Sequence, residues 1–164
     1  MSAIVRAARP ADAGAIWELI RALAEYERML PRVTGSAERL AADLFGGGTP
    51  LECLVAEQAG ALLGYAIYYP TYSTFRTQPM MWLEDLFVLP AARGAGLGRA
   101  LLAAVARAAL ERGCWRLDWN VLDWNEPSIR FYERLGARRH NADWYQYGFD
   151  EARLRELGVT SSNT

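Results

Sequence analysis

The chain has 164 residues, 52% hydrophobic and 23% charged, which is enough for one sizeable core and too few for two. Lysine and arginine total 18 against 19 for aspartate and glutamate, a net charge of −1 with no long run of one sign. That balance excludes a nucleic-acid partner held through phosphate contacts. Residues Met1 to Arg9 lack the apolar stretch of a secretory signal, and no segment approaches the roughly 18 uninterrupted apolar residues of a membrane helix. The expected compartment is therefore the cytoplasm, with no membrane partner. Two cysteines, Cys53 and Cys114, and one histidine, His140, offer neither a disulfide scaffold nor a zinc site. No metal is expected, and catalysis is left to carboxylates, tyrosine or backbone groups.

In chain order, Ala3 to Ala8 reads as a short strand, and Pro10-Ala11-Asp12 opens a helix marked by Ile16, Ile20, Leu23 and Leu30. A second helix over Ala37 to Leu44 ends at Gly46-Gly47-Gly48. Leu51 to Glu57 and Leu62 to Tyr69 are strand-length apolar runs joined by a hairpin turn at residues 58–61. A loop is expected over Pro70 to Pro79, then a third strand over Met81 to Leu89, closed by Pro90. Leu97 to Leu110 reads as a helix, Arg116 to Val121 as a strand and Asn125 to Leu135 as a short helix. Trp144 to Phe149 reads as a last strand. The predicted fold is α/β: a mixed, mainly antiparallel sheet flanked by helices, in one domain over residues 1–158 with a flexible tail over 159–164.

Arg93-Gly94-Ala95-Gly96-Leu97-Gly98-Arg99 stands between a strand and a long helix, where backbone N–H groups and a helix N-terminus can converge on a diphosphate. An ordinary strand-to-helix turn is the competing reading. A dinucleotide-binding fold is set aside because its glycines follow the first strand of a βαβ unit, and a nucleoside triphosphatase loop because it needs Gly-Lys-Ser or Gly-Lys-Thr.

These residues resemble the coenzyme-binding signature of the GNAT superfamily of N-acetyltransferases. The flanking segments Trp82-Leu83-Glu84-Asp85-Leu86-Phe87-Val88 and Trp124-Asn125-Glu126-Pro127-Ser128-Ile129-Arg130-Phe131-Tyr132 are similar to the diamine (spermidine/spermine) acetyltransferase branch. The resemblance runs from about Ile4 to Phe149 and implies acetyl-CoA as co-substrate. It implies that the backbone of Leu86, Phe87 and Val88 pairs with the pantetheine arm, and that Arg93, Gly94, Ala95, Gly96, Leu97, Gly98 and Arg99 hold the pyrophosphate. Asn125, Glu126, Pro127 and Ser128 would contact the coenzyme from the other side.

By the same resemblance Glu84 is the base and Tyr132 the acid. Attack on a thioester needs an uncharged amine, whose pKa is about 10, and the departing thiolate takes a proton that a phenol can give. On a regular strand Glu84 shares a face with Leu86 and Val88, and Asp85 points the other way unless a bulge intervenes. Alternatives are a solvated strand edge for the two acids and plain packing for Phe131 and Tyr132. A backbone N–H near Leu86 could stabilise an oxyanion. Direct attack in a ternary complex is expected over an acetyl-cysteine route, since neither cysteine neighbours an obvious base.

Tyr26, Glu27, Trp82, Glu84, Asp85, Asp118, Trp119, Asn120 and Trp144 resemble residues lining the amine pocket of that branch; acids and aromatics suit a cation. The loop carrying Arg76 lacks an acid, and Val121-Leu122-Asp123-Trp124-Asn125 is similar to relatives that acetylate thialysine. The expected partner is a small-molecule amine, diamine or amino-acid-like. A protein acetyltransferase and a non-catalytic coenzyme A-binding sensor are the rival readings. The resemblance also implies a homodimer.

Overall fold

The structure is a computed structural model that describes residues 3–140 and 143–159. It falls into two compact units, Met1–Asn120 and Val121–Thr164. In the first, β1 (Ile4–Ala7) is followed by α1 (Ala13–Tyr26), α2 (Ala37–Phe45), the meander β2 (Glu52–Gln58), β3 (Ala61–Ser73) and β4 (Gln78–Val88), then α3 (Leu97–Glu111) and β5 (Leu117–Asp118). The sheet order is β1-β2-β3-β4-β5, antiparallel except for the parallel β4–β5 pair. This is the mixed, mainly antiparallel sheet that the order of apolar runs predicts.

Strand alternation divides the core in two. Cys53, Val55, Tyr65, Ile67 and Phe87 face one side and pack under Ile16 and Leu19 of α1. Helix α3, with Leu101 and Val105 fully buried, lies along β2, β3 and β4. Arg6 ties the entry together. Its Nε donates to Glu57 at 2.6 Å and its NH1 to Asp12 at 2.7 Å, joining β1, β2 and the turn before α1. That guanidinium holds the Asp12 carboxyl below the usual range.

The expected loop over Pro70 to Pro79 is instead the tip of a long hairpin, paired from Tyr69 opposite Trp82 out to Ser73 opposite Gln78. Proline is tolerated there because β2 stops pairing with β3 at Tyr68, so Pro70 lies where β3 has an open edge. The strand expected over Arg116 to Val121 shrinks to two paired residues, opposite Met81 and Trp82.

The second unit holds α4 (Glu126–Arg134) and α5 (Glu151–Val159). Asn125 caps α4 by accepting from the Ser128 amide at 3.3 Å, and Pro127 sits in the first turn, where its missing N–H costs nothing. The strand expected over Trp144 to Phe149 does not form: no strand among the described residues pairs with it, and Trp144, Tyr145, Tyr147 and Phe149 are exposed. Of the predicted tail, only residue 159 falls within the described chain, as the end of α5. No helix among the described residues is long and apolar enough to cross a membrane.

Candidate active site

A β-bulge builds the site. Ile67 pairs with Asp85 and Tyr68 with Leu83, so Glu84 is one residue too many for β3 to match. The extra residue resets the alternation. Asp85 falls on the α1 face with Ile67, Tyr65 and Phe87, and Glu84 joins Trp82 and Tyr69. The regular-strand expectation, Glu84 sharing a face with Leu86 and Val88, is thereby overturned, and the two acids stand side by side.

Each acid has its own donors. Glu84 is exposed, and its Oε2 accepts from Trp82 Nε1 at 2.9 Å and from the Tyr69 hydroxyl at 3.0 Å. Asp85 is half-buried, and its Oδ2 accepts from the Tyr65 hydroxyl at 3.0 Å. Glu27, at the end of α1, is close enough for its charge to act on Asp85 and Tyr65. Among the described residues no basic side chain forms an ion pair with Glu27, Glu84 or Asp85, and no acid, histidine or cysteine group is arranged to hold a metal. Tyr65 and Tyr69 were not singled out in the sequence, although two tyrosines spaced four apart on one strand share a face.

Burial raises the Asp85 carboxyl from an ordinary 3.8 to about 6; the Tyr65 hydrogen bond opposes that rise, and the charges of Glu84 and Glu27 add to it. Burial also raises Glu27. A carboxyl whose folded value lies above its unfolded one binds its proton more tightly when folded, so stability falls as pH rises from about 4 through 6. Asp85→Asn is therefore expected to stabilise the protein by on the order of 2 kcal/mol at pH 7.5, with the gain vanishing near pH 4. Urea unfolding at both pH values checks this. Cys53, pushed up to about 12 by burial and by Asp12 and Asp85, stays a thiol at neutral pH, and Cys114 is raised by burial.

β4 pairs with β5 only at Met81 and Trp82, so from Asp85 to Val88 it pairs with β3 alone and its other edge has no strand partner among the described residues of its unit. The chain then turns through Pro90–Ala92 into the glycine loop. Gly94 and Gly96 take φ of 86° and 81°, a region that disfavours side chains, and Gly96 starts α3. Among the described residues no hydrogen bond uses the amides of Gly94 to Arg99, which therefore form an array of open donors at a helix N-terminus. An open cleft of about 460 Å³ lies beside this loop, lined by Ala91, Arg93, Ala95 and Leu97 together with Gln58 and Leu63. Arg93 is itself engaged. Its Nε donates to the Val88 carbonyl at 2.9 Å, and its guanidinium lies 4.7 Å from the Tyr26 ring centroid, fixing the loop to the ends of β4 and α1.

The structure thus gathers Glu27, Trp82, Glu84 and Asp85, with Tyr26 near by under Arg93. Asp118 lies beside Trp82 and accepts from Arg116 at 2.9 Å, so its charge is offset where it stands. Trp119 and Asn120 follow β5. Arg76 lies over the Trp115 ring at 4.2 Å. In the second unit, Asn125, Glu126, Pro127 and Ser128 form the start of α4, Tyr132 lies on α4 with its ring 5.1 Å edge-on from Phe131, and Trp144 is exposed.

Comparison with known proteins supplies the family. Residues 16–137 match the model of the acetyltransferase (GNAT) family. The chain is 39% identical over 166 residues to a thialysine N-epsilon-acetyltransferase of Sus scrofa, an alignment covering 95% of this chain and 97% of that protein. It is 32% identical over 162 residues to a spermidine/spermine N(1)-acetyltransferase-like protein 1 of Homo sapiens, covering 93% of this chain but 23% of that longer protein. In fold it is similar to an integron cassette protein from the mobile metagenome of V. cholerae, with a TM-score of 0.79, 24% identity, and coverage of 97% of this chain and 99% of that one. The chain belongs to the acetyltransferase (GNAT) family and is an N-acetyltransferase.

Proposed function

We propose that this enzyme acetylates a primary amine of a small molecule that carries a second charged group, with an amino-acid-like amine such as thialysine favoured over a long polyamine. The observation that carries this reading is the pair of adjacent acids on one face of β4, unpaired by any base among the described residues and set beside an open strand edge. The resemblance to thialysine acetyltransferase over nearly the whole chain supports the choice of amine.

The donor set suits acetyl-CoA, which supplies the acetyl group as a thioester. The unpaired edge of Leu86, Phe87 and Val88 offers N–H and C=O groups to the pantetheine amides. The amides from Gly94 to Arg99 receive the pyrophosphate, and Arg99 adds charge there. Asn125, Glu126, Pro127 and Ser128 are assigned further contacts with the coenzyme. Asp85 and Glu27 hold the cationic amine. Glu84, fixed through one oxygen by Trp82 and Tyr69, accepts the amine proton through water as nitrogen attacks the carbonyl carbon. Tyr132 gives its proton to the sulfur as the C–S bond breaks. Attack is direct, since both thiols are held protonated. The exposed run Trp144, Tyr145, Tyr147 and Phe149 supports a homodimer that covers it.

Thiol release from acetyl-CoA, followed with thialysine, lysine, ornithine, putrescine, spermidine and lysine peptides, tests the reading. Turnover is expected with thialysine and at least tenfold lower kcat/KM with spermidine; a preference for peptides would replace the small-molecule reading.

A further inference from the structure

Tyr65 lies in the middle of β3 with no exposed surface, among Ile16, Val55, Ile67 and Phe87. Phenylalanine would fill the same space. The hydroxyl adds a desolvation cost that only a hydrogen-bond partner offsets. That partner is Asp85 Oδ2, which accepts the phenolic proton at 3.0 Å. A bond of this polarity favours the ionised carboxyl, whereas burial and the nearby Glu84 and Glu27 favour the neutral one.

We propose that Tyr65 is a positioning residue for the amine site, holding Asp85 charged and oriented so that its second oxygen meets the cationic substrate. This rests on the reading of Asp85 as an amine anchor. The titratable and charged groups around Asp85 are Glu27 and Tyr26 at the end of α1, Cys53 on β2, Tyr65 on β3, Glu84 on β4 and Arg93 stacked on Tyr26. Burial keeps Cys53 and Tyr65 neutral throughout the working range, so carboxyls set the acid limb of amine binding.

The test compares the amine KM of Tyr65→Phe with that of the native enzyme from pH 6 to 9 at saturating acetyl-CoA. Loss of a hydrogen bond to a charged carboxylate raises its titration by about one to two pH units. KM is expected to rise about tenfold near pH 6.5, with the gap closing to about twofold by pH 9 and kcat nearly unchanged. Protonation of the substrate itself cancels in the ratio. In an Asp85→Asn background, Tyr65→Phe is expected to add nothing further. A KM ratio independent of pH, or an equal rise in that background, means that the hydroxyl serves packing alone and overturns the inference. If Asp85→Asn raises KM and Tyr65→Phe does not, the inference fails while the anchor survives; if Asp85→Asn leaves KM unchanged, both fail. Should Tyr65→Phe not fold, protein carrying 3-fluorotyrosine and ¹³C-labelled aspartate replaces it. The more acidic phenol must lower the Asp85 titration midpoint seen by NMR, and an unmoved midpoint overturns the proposal.

Discussion

Tyr132→Phe is expected to lower kcat by roughly a hundred- to ten-thousand-fold, the scale of a lost general acid. Phenylalanine keeps the ring, its edge-on contact with Phe131 and the capped helix that carries it, and removes the hydroxyl. The departing thiolate then leaves unprotonated, a poorer route when the alternative is return to the thioester. Coenzyme affinity, read by calorimetry, is expected to change by less than about threefold, because the groups assigned to it lie elsewhere. A native kcat in this variant removes Tyr132 from the mechanism, and a loss confined to KM reassigns it to binding.

Glu84→Gln is expected to cost about a hundredfold in kcat/KM at pH 7, shrinking to a few-fold by pH 9.5. Glutamine keeps the oxygen that accepts from Trp82 and Tyr69 but cannot take a proton. An alkylamine of pKa about 10 is mostly protonated at pH 7, and its free fraction grows about tenfold per pH unit, so the need for a base fades as pH rises. A loss equal at every pH would make Glu84 a binding group. In the proposed mechanism Asp85 holds the amine instead: one oxygen accepts from Tyr65, and the carboxyl is less exposed than that of Glu84.

The meander was legible because Leu51 to Glu57 and Leu62 to Tyr69 are apolar runs separated by a turn that the structure closes with positive φ at Ala59 and Gly60. Helix α3 was legible for the same kind of reason: an alanine- and leucine-rich segment bounded by Gly96 and Gly113. Proline misled the reading at Pro70, because its effect depends on whether the strand edge is paired, which is a tertiary fact. The aromatic run from Trp144 to Phe149 has strand composition, yet a strand exists only with a partner.

Within the site, Glu84 and Asp85 were singled out through the family resemblance of their segment, but not their common face. A bulge is set by mismatch between two strands, and neither strand alone reveals it. Tyr65 and Tyr69 escaped notice because tyrosine is an ordinary strand residue whose hydroxyl acquires meaning only opposite an acid.

The extra residue at Glu84 comes two positions after Trp82, the last residue of β4 to pair with β5. A bulge bends its strand and increases local twist. One surplus amino acid thus does two things: it turns both carboxyls toward the same side, and it accompanies the departure of β4 from β5 that leaves the edge of Leu86 to Val88 without a strand partner among the described residues. Side-chain replacement can retune the acids one at a time. A one-residue deletion there would act on both at once, since it would return the ladder to register and restore simple alternation. The bulge thus sits where the shared face of the two acids and the open edge of β4 meet.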